Sequence, residues 1–320
     1  MERYYLICAY VLAGVLGLCI GSFLNVLIYR LPRGMNIATP PSHCPKCGYR
    51  LRWYDNIPVL SYCILRGKCR KCGERISPRY TAVELLNCGL WLACVAAFWR
   101  YGVGYTVVCA LALSALTVEF FADLETMTVP DSMTIGIALC GIAALVLEIF
   151  GLGAGITWQN RLWGALAGLG SFALFYFGSL LVLKREGLGF GDVKLMGAAG
   201  LLLGWQNLIV SVLFASVSAV LVAGIGRLVF RRGKEAPVPA ENAGQTDSAA
   251  ESEAVPAAPS AESAENAVEP AENAVESGEN AAEEEKRPFE FPFVPFLAAG
   301  IALALFFGNA VCAWYIGLFA

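Results

Sequence analysis

The chain has 320 residues, 57% hydrophobic and only 15% charged, with a net charge of −3 and a positive mean hydropathy. Its apolar residues gather in long blocks instead of alternating, which excludes an ordinary soluble domain and describes an all-α polytopic membrane protein with no nucleic-acid partner. The net charge averages two unlike parts: residues 235–290 hold 15 of the 26 acids, whereas the remainder has 21 bases against 11 acids.

Crossing roughly 30 Å of hydrocarbon at 1.5 Å per residue takes about 20 apolar residues. Blocks of that kind predict spans near 5–28, 81–99, 104–122, 132–151, 162–183, 206–229 and 293–318, with a shorter one at 193–205. That makes about eight transmembrane helices. The first block has no small-residue cleavage site after it, and its nearby bases mostly follow it, so it is expected to stay as a span. With the N-terminus outside, the loops 29–80, 184–194 and 227–287 face the cytoplasm and carry 11, 3 and 6 Lys or Arg. Arg3, Arg100 and Arg161 alone remain outside.

The first of these loops contains "HCPKCGYRLRWYDNIPVLSYCILRGKCRKCGERISPRY". Cys44 and Cys47 form one CxxC pair and Cys69 and Cys72 another, each followed by a glycine that allows a tight turn. Four thiolates suit tetrahedral zinc and leave no open position, so the site is expected to be structural. The 21 residues between the pairs slightly exceed the usual spacing of about 15 to 20. Two disulfides or a redox dithiol are the competing readings. Cys63 reads as a spare thiol. His43, the single histidine, reads as a solvated neighbour of Cys44 or a substitute ligand. Any Ser-His or Cys-His hydrolase would have to depend on this histidine, which leads a metal motif. The remaining cysteines lie in spans as small hydrophobes.

Ionisable groups in or at the ends of spans are costly and therefore functional candidates. Here they are Glu84, Glu119, Asp123, Glu125, Asp131, Glu148 and Asp192. In the deduced topology Asp123 ends the third span and Asp192 begins the short one, so the two lie at similar depth. Two aspartates that share a proton can act as base and acid toward water and a peptide bond. In "GFGD", Gly189 and Gly191 leave room for a substrate backbone; a helix N-cap explains Asp192 equally well on local grounds. Asp131, after Pro130, reads as a cap, and Glu125 as solvated. Residues 235–290 repeat about every seven positions, but their apolar residues are Ala and Val and Pro270 interrupts them. They read as a disordered linker instead of a coiled coil.

"GSFLNVLIYRLP", the "CPKC" and "CRKC" pairs, "WYDNIPVLSY", "ISPRYTAVELL", "DLETMTVPD" and "GFGDVKLM" occur here in one order. In that order the chain resembles the bacterial type IV prepilin peptidases, intramembrane aspartic proteases with a GxGD motif. The resemblance covers nearly the whole chain outside the linker. It implies that Asp123 and Asp192 are the catalytic pair and that the substrates are prepilins and pseudopilins, cut on the cytoplasmic side after a glycine ending a basic leader. It also implies S-adenosylmethionine-dependent methylation of the new amino terminus. The implied location is the bacterial inner membrane, and the cysteine loop is linked with methylation or folding. Glu84 and Asn25 match family positions, and their roles stay open; on local grounds the first reads as a helix-end anchor and the second as a hydrogen-bonded bridge between helices. Val129 replaces the usual leucine before Pro-Asp, and the acidic insertion is foreign to the family pattern.

The expected divisions are a first transmembrane helix (1–28), a zinc loop (29–80), a transmembrane peptidase core (81–230), an acidic linker (231–290) and a last transmembrane helix (291–320). A peptidase without methylation, a transporter relaying protons through carboxylates, and a membrane-anchored zinc module are the alternatives. The transporter would more often show inverted repeats, and the zinc module leaves both aspartates unexplained.

Overall fold

The structure is a computed structural model that describes residues 2–184, 188–234 and 292–318. The expected linker lies outside the described residues except for its first four positions, which are helical. Helices α1 (Glu2–Arg30), α2 (Leu60–Ile64), α3 (Arg79–Phe98), α4 (Val103–Thr126), α5 (Asp131–Ile149), α6 (Trp158–Leu183), α7 (Phe190–Leu203), α8 (Trp205–Lys234) and α9 (Val294–Gly317) follow in order. Among the described residues there is no strand, only two isolated β-bridges in the loop before α3. Among the described residues seven helices are long and apolar enough to cross a membrane, namely all but α2 and α7. At about 1.5 Å per residue, the 14 residues of α7 reach only about 21 Å. The chain is an integral membrane protein.

Helix α4 is the most buried span and packs against α1, α3, α5 and α9, while α7 lies against α5, α6 and α9. The opposite pattern marks the flank: on α6, Leu174, Phe175 and Leu181 are left exposed, as expected for a face turned to lipid. Lipid gives no hydrophobic incentive for helices to associate, so close backbone contact and polar bonds must do it. Both devices occur. A Cβ on Gly164 would strike the Gly200 carbonyl and one on Gly168 the Met196 carbonyl, so these glycines let α6 lie directly on α7. Across α1, α3 and α4, Asn87 donates to the Gly17 carbonyl at 2.8 Å, Ser114 donates to Asn87 at 2.8 Å, and Trp91 donates to Ser114 at 3.0 Å.

Two boundaries differ from the sequence expectation. Helix α4 runs on past 122, so Asp123 sits inside its last turns, and the chain turns at Met127, which adopts φ +52°. Helix α8 continues to Lys234, so residues 231–234 belong to it and not to the linker.

Candidate active site and metal centre

Glu119 and Asp123 stand four residues apart on α4 and therefore share a face. Asp192 lies in the first turn of α7. Both aspartates are 5% exposed. Their carboxylates are within electrostatic reach of each other, and Glu119 is within reach of both. The Val294 backbone N–H at the start of α9 is directed to the Asp123 carboxylate, while Asp123 Oδ2 has no hydrogen-bond partner among the described residues. The Asp192 backbone N–H bonds to the Gly189 carbonyl at 3.1 Å, and the Gly189 N–H is directed back to the Asp192 carboxylate.

Two clamps bring the motifs of α4, α5 and α7 together. The turn at Met127 carries Val129 onto Gly191, where an added Cβ would meet the Val129 Cβ at 2.9 Å. Gly191 thus has a packing reason to be glycine. A Cβ on Gly189 would meet only the Asp192 carboxylate, at 3.6 Å. The second clamp is an ion pair at 2.9 Å between Asp131, at the start of α5, and Lys194 on α7. The cap reading of Asp131 is therefore corrected: Pro130 holds the cap position, Asp131 is the first residue of α5, and its carboxylate pairs with Lys194. Glu125 is exposed, as expected, and in addition pairs with Arg79, which ties the end of α4 to the start of α3.

Glu119 is fully buried, accepts a 2.7 Å hydrogen bond from the Thr134 hydroxyl, and leaves Oε2 without a partner among the described residues. Sequence reading placed it among the intramembrane acids but gave it no role. The spacing of four from Asp123 was the signal that puts it on the active face. Glu148, near the other end of α5, is excluded by roughly 26 Å of helix.

The cysteine loop is built from two copies of one turn. In the first, Cys44 N–H bonds to the Tyr49 carbonyl at 2.9 Å and Gly48 N–H to the Cys44 carbonyl at 2.9 Å. In the second, Cys69 N–H bonds to the Glu74 carbonyl at 2.7 Å and Gly73 N–H to the Cys69 carbonyl at 3.0 Å. Bridges between His43 and Arg50 and between Lys68 and Arg75 close the two turns. Gly48 and Gly73 adopt φ +65° and +72°, the left-handed conformation that the turn demands.

All four sulfurs lie within 4.8 Å of one another, with Cys44 to Cys72 at 3.9 Å and Cys47 to Cys69 at 4.0 Å. Zinc–sulfur bonds of about 2.3 Å place tetrahedral sulfurs about 3.8 Å apart, so the cluster fits zinc. Every cysteine among the described residues is free, which removes the disulfide reading. Backbone N–H groups of Cys72 and Lys71 hold the Cys69 thiol down to about 6, whereas Cys72, against the Glu74 N–H, is pushed up to about 11 by burial and the neighbouring thiols, so the first thiolate of the cluster is Cys69. His43 bonds to the Pro41 carbonyl and Cys63 is exposed; neither joins the cluster.

Asp55 is the internal anchor of this loop. Burial opposes its charge, but two bonds from Arg70 at 2.8 Å, the Arg52 N–H and the Tyr49 hydroxyl hold its carboxyl below the usual range. Glu84 accepts the Val59 N–H at 2.8 Å and so fastens the loop to α3, while Asn25 donates to the Tyr80 carbonyl at 3.1 Å and joins α1 to α3. These bonds are those of an anchor and a bridge, the local readings of two residues whose roles the sequence left open.

Comparison with known proteins matches residues 15–98 to the bacterial peptidase A24 N-terminal domain and residues 108–224 to the type IV leader peptidase family. A protein of Myxococcus xanthus strain DK1622 is 44% identical over 65% of this chain and 60% of its own length. Relatives from Neisseria gonorrhoeae (36% identical) and Stutzerimonas stutzeri (34%) match 68% and 70% of this chain and 82% and 83% of their own lengths. All three carry the name prepilin leader peptidase/N-methyltransferase. No solved structure matches. The first matched region holds the four cysteines, the second holds both aspartates, and the chain belongs to the type IV leader peptidase family.

Proposed function

We propose that this protein removes the basic leader from type IV prepilins and pseudopilins with Asp123 and Asp192, and then methylates the new amino terminus. The observation that carries the reading is the burial of two aspartates from separate motifs within reach of each other's charge. One carboxylate takes a proton from water as the water attacks the scissile carbonyl. The other, protonated, stabilises the developing oxyanion by hydrogen bonding, and a carboxyl then protonates the departing amine. Gly189 supplies the open backbone edge along which the substrate chain lies, and Glu119 with Thr134 holds the face of α4 that presents Asp123.

The site faces the cytoplasm of a bacterial inner membrane, with the amino terminus of the chain outside. The end of α4, the start of α7 and the start of α9 meet at the aspartates, and the Arg79–Glu125 pair ties the foot of the basic loop to that same end. The 20 to 3 distribution of basic residues supports this orientation. A substrate with a basic leader in water and an apolar helix in the bilayer would present its junction at this depth.

Cys44, Cys47, Cys69 and Cys72 would hold zinc, whose role with four thiolate ligands is to bind the loop into one fold. S-adenosylmethionine would supply the methyl group. The test is incubation of purified protein with a prepilin: wild type releases the leader, whereas Asp123→Asn and Asp192→Asn bind the prepilin and release none. Full cleavage by either variant overturns the assignment.

A further inference from the structure

Between the second cysteine turn and the start of α3 the loop forms an open cavity of about 570 Å3. Arg66, Lys68 and Arg75 line it together with Tyr62, Ser77 and Pro78, and no acid does. At this end of the molecule Lys46 pairs with Glu74, Arg70 with Asp55, Arg79 with Glu125 and Lys194 with Asp131, whereas Arg50, Arg52 and Lys71 have no acidic partner among the described residues but do not line this cavity. Among the described residues, the side chains of Arg66, Lys68 and Arg75 make no ion pair or hydrogen bond.

The backbone works to keep these charges together. Lys68 and Arg75 face each other across an antiparallel bridge, where like charges repel unless an anion lies between them. Arg66 adopts φ +51°, a strained conformation for a side chain of its size, and Gly67 follows at φ +67°. A Cβ on Gly67 would meet the Tyr62 hydroxyl at 2.9 Å, so this left-handed turn is seated on the Tyr62 ring. Strain and like-charge repulsion at one spot, without a protein counter-charge, are the mark of a site built for an anion.

Position narrows the ligand. Pro78, in the cavity wall, directly precedes Arg79, where a helix long and apolar enough to cross a membrane begins. The cavity wall therefore reaches the end of a candidate span, the level at which lipid phosphates display anions. We propose that this cavity binds a phosphate group, presented by an anionic lipid headgroup, and so seats the cysteine loop on the bilayer.

The test uses full-length protein in detergent micelles and follows its thermal unfolding midpoint as phosphatidylglycerol, phosphatidylcholine or inorganic phosphate is added. Phosphatidylglycerol raises the midpoint saturably and phosphatidylcholine does not. The combined variant Arg66→Gln, Lys68→Gln, Arg75→Gln loses that rise while its cysteines keep wild-type reactivity, which shows that the loop is still folded. A control that removes equal charge outside the cavity, Arg50→Gln, Arg52→Gln, Lys71→Gln, keeps it. If millimolar inorganic phosphate gives the same rise, lost in the same variant, the phosphate site stands and its ligand is a soluble phosphate compound. A response to phosphatidylglycerol that is absent, survives the cavity variant, or disappears equally in the control overturns the site.

Discussion

The cysteine loop closes its site within one stretch of chain, from Cys44 to Cys72, whereas the acidic site draws Asp123, Asp192 and the Val294 N–H from three helices far apart in sequence. In the loop each cysteine pair is positioned by its own turn, with a left-handed glycine and short backbone bonds. In the acidic site no local turn places one aspartate against the other. Their approach depends on α6 lying on α7, on Val129 packing against Gly191, and on the Asp131–Lys194 pair. A locally built site fails locally when one ligand is lost. A site assembled by packing fails in its chemistry if an acid is replaced, and in its geometry if a packing contact is displaced.

The largest expected effect is at the acids. Asp123→Asn and Asp192→Asn should each lower cleavage by about 1,000-fold or more, with no loss of folded protein, because groups acting as one unit lose most activity on the first deletion. Wild-type cleavage should follow a bell-shaped pH profile whose two limbs belong to the pair. Glu119→Gln keeps the shape and the Thr134 contact, so it should cost far less than either aspartate change. Equal losses at all three positions in a leader-release assay would mean that Glu119 takes part in the chemistry.

Next comes the loop. Cys44→Ser or Cys72→Ser should abolish zinc retention, measured by metal analysis of purified protein, and make the remaining cysteines of the cluster reactive. Cleavage should stay within about 10-fold of wild type, since the aspartates are placed by helix packing and not by the loop, and methylation should fall further. Cleavage falling as far as in the aspartate variants would break the comparison.

A smaller effect tests the packing clamp. Gly191→Ala inserts a methyl 2.9 Å from the Val129 Cβ, and overpacking of this kind costs about 1–3 kcal/mol. Cleavage should drop by about 10-fold, and adding Val129→Ala should restore most of it. Failure of that rescue, with substrate affinity lost instead, would assign Gly191 to substrate approach.

The smallest effect concerns pH. Asp55 has a folded-state carboxyl held below its ordinary range, so its contribution to the loop is present above the ordinary carboxylate pKa of about 4 and disappears as pH falls through the lower folded value. Cleavage of the loop by an acid-active protease should therefore rise on acidification. Asp55→Asn should show raised protease sensitivity of the loop already near neutral pH and a flatter pH response.

The amino-acid sequence alone determined the apolar spans to within a few residues, the cysteine pairs with their glycines, and the two aspartate motifs as separate signals. Each of these is a local property: hydropathy over the thickness of a bilayer, ligand spacing within a turn, or a carboxylate where insertion is costly. Tertiary structure alone decided that Glu125 meets Arg79, that Asp131 meets Lys194, that Glu119 takes the Thr134 hydroxyl, and that Val294 turns its N–H toward Asp123. The network of Asn87, Ser114 and Trp91 across α1, α3 and α4 belongs with them. In a membrane each buried polar group must find its partner on whichever helix happens to be adjacent. That adjacency follows from how glycine-lined helix faces approach one another, a relation between distant segments that no single stretch of the chain encodes.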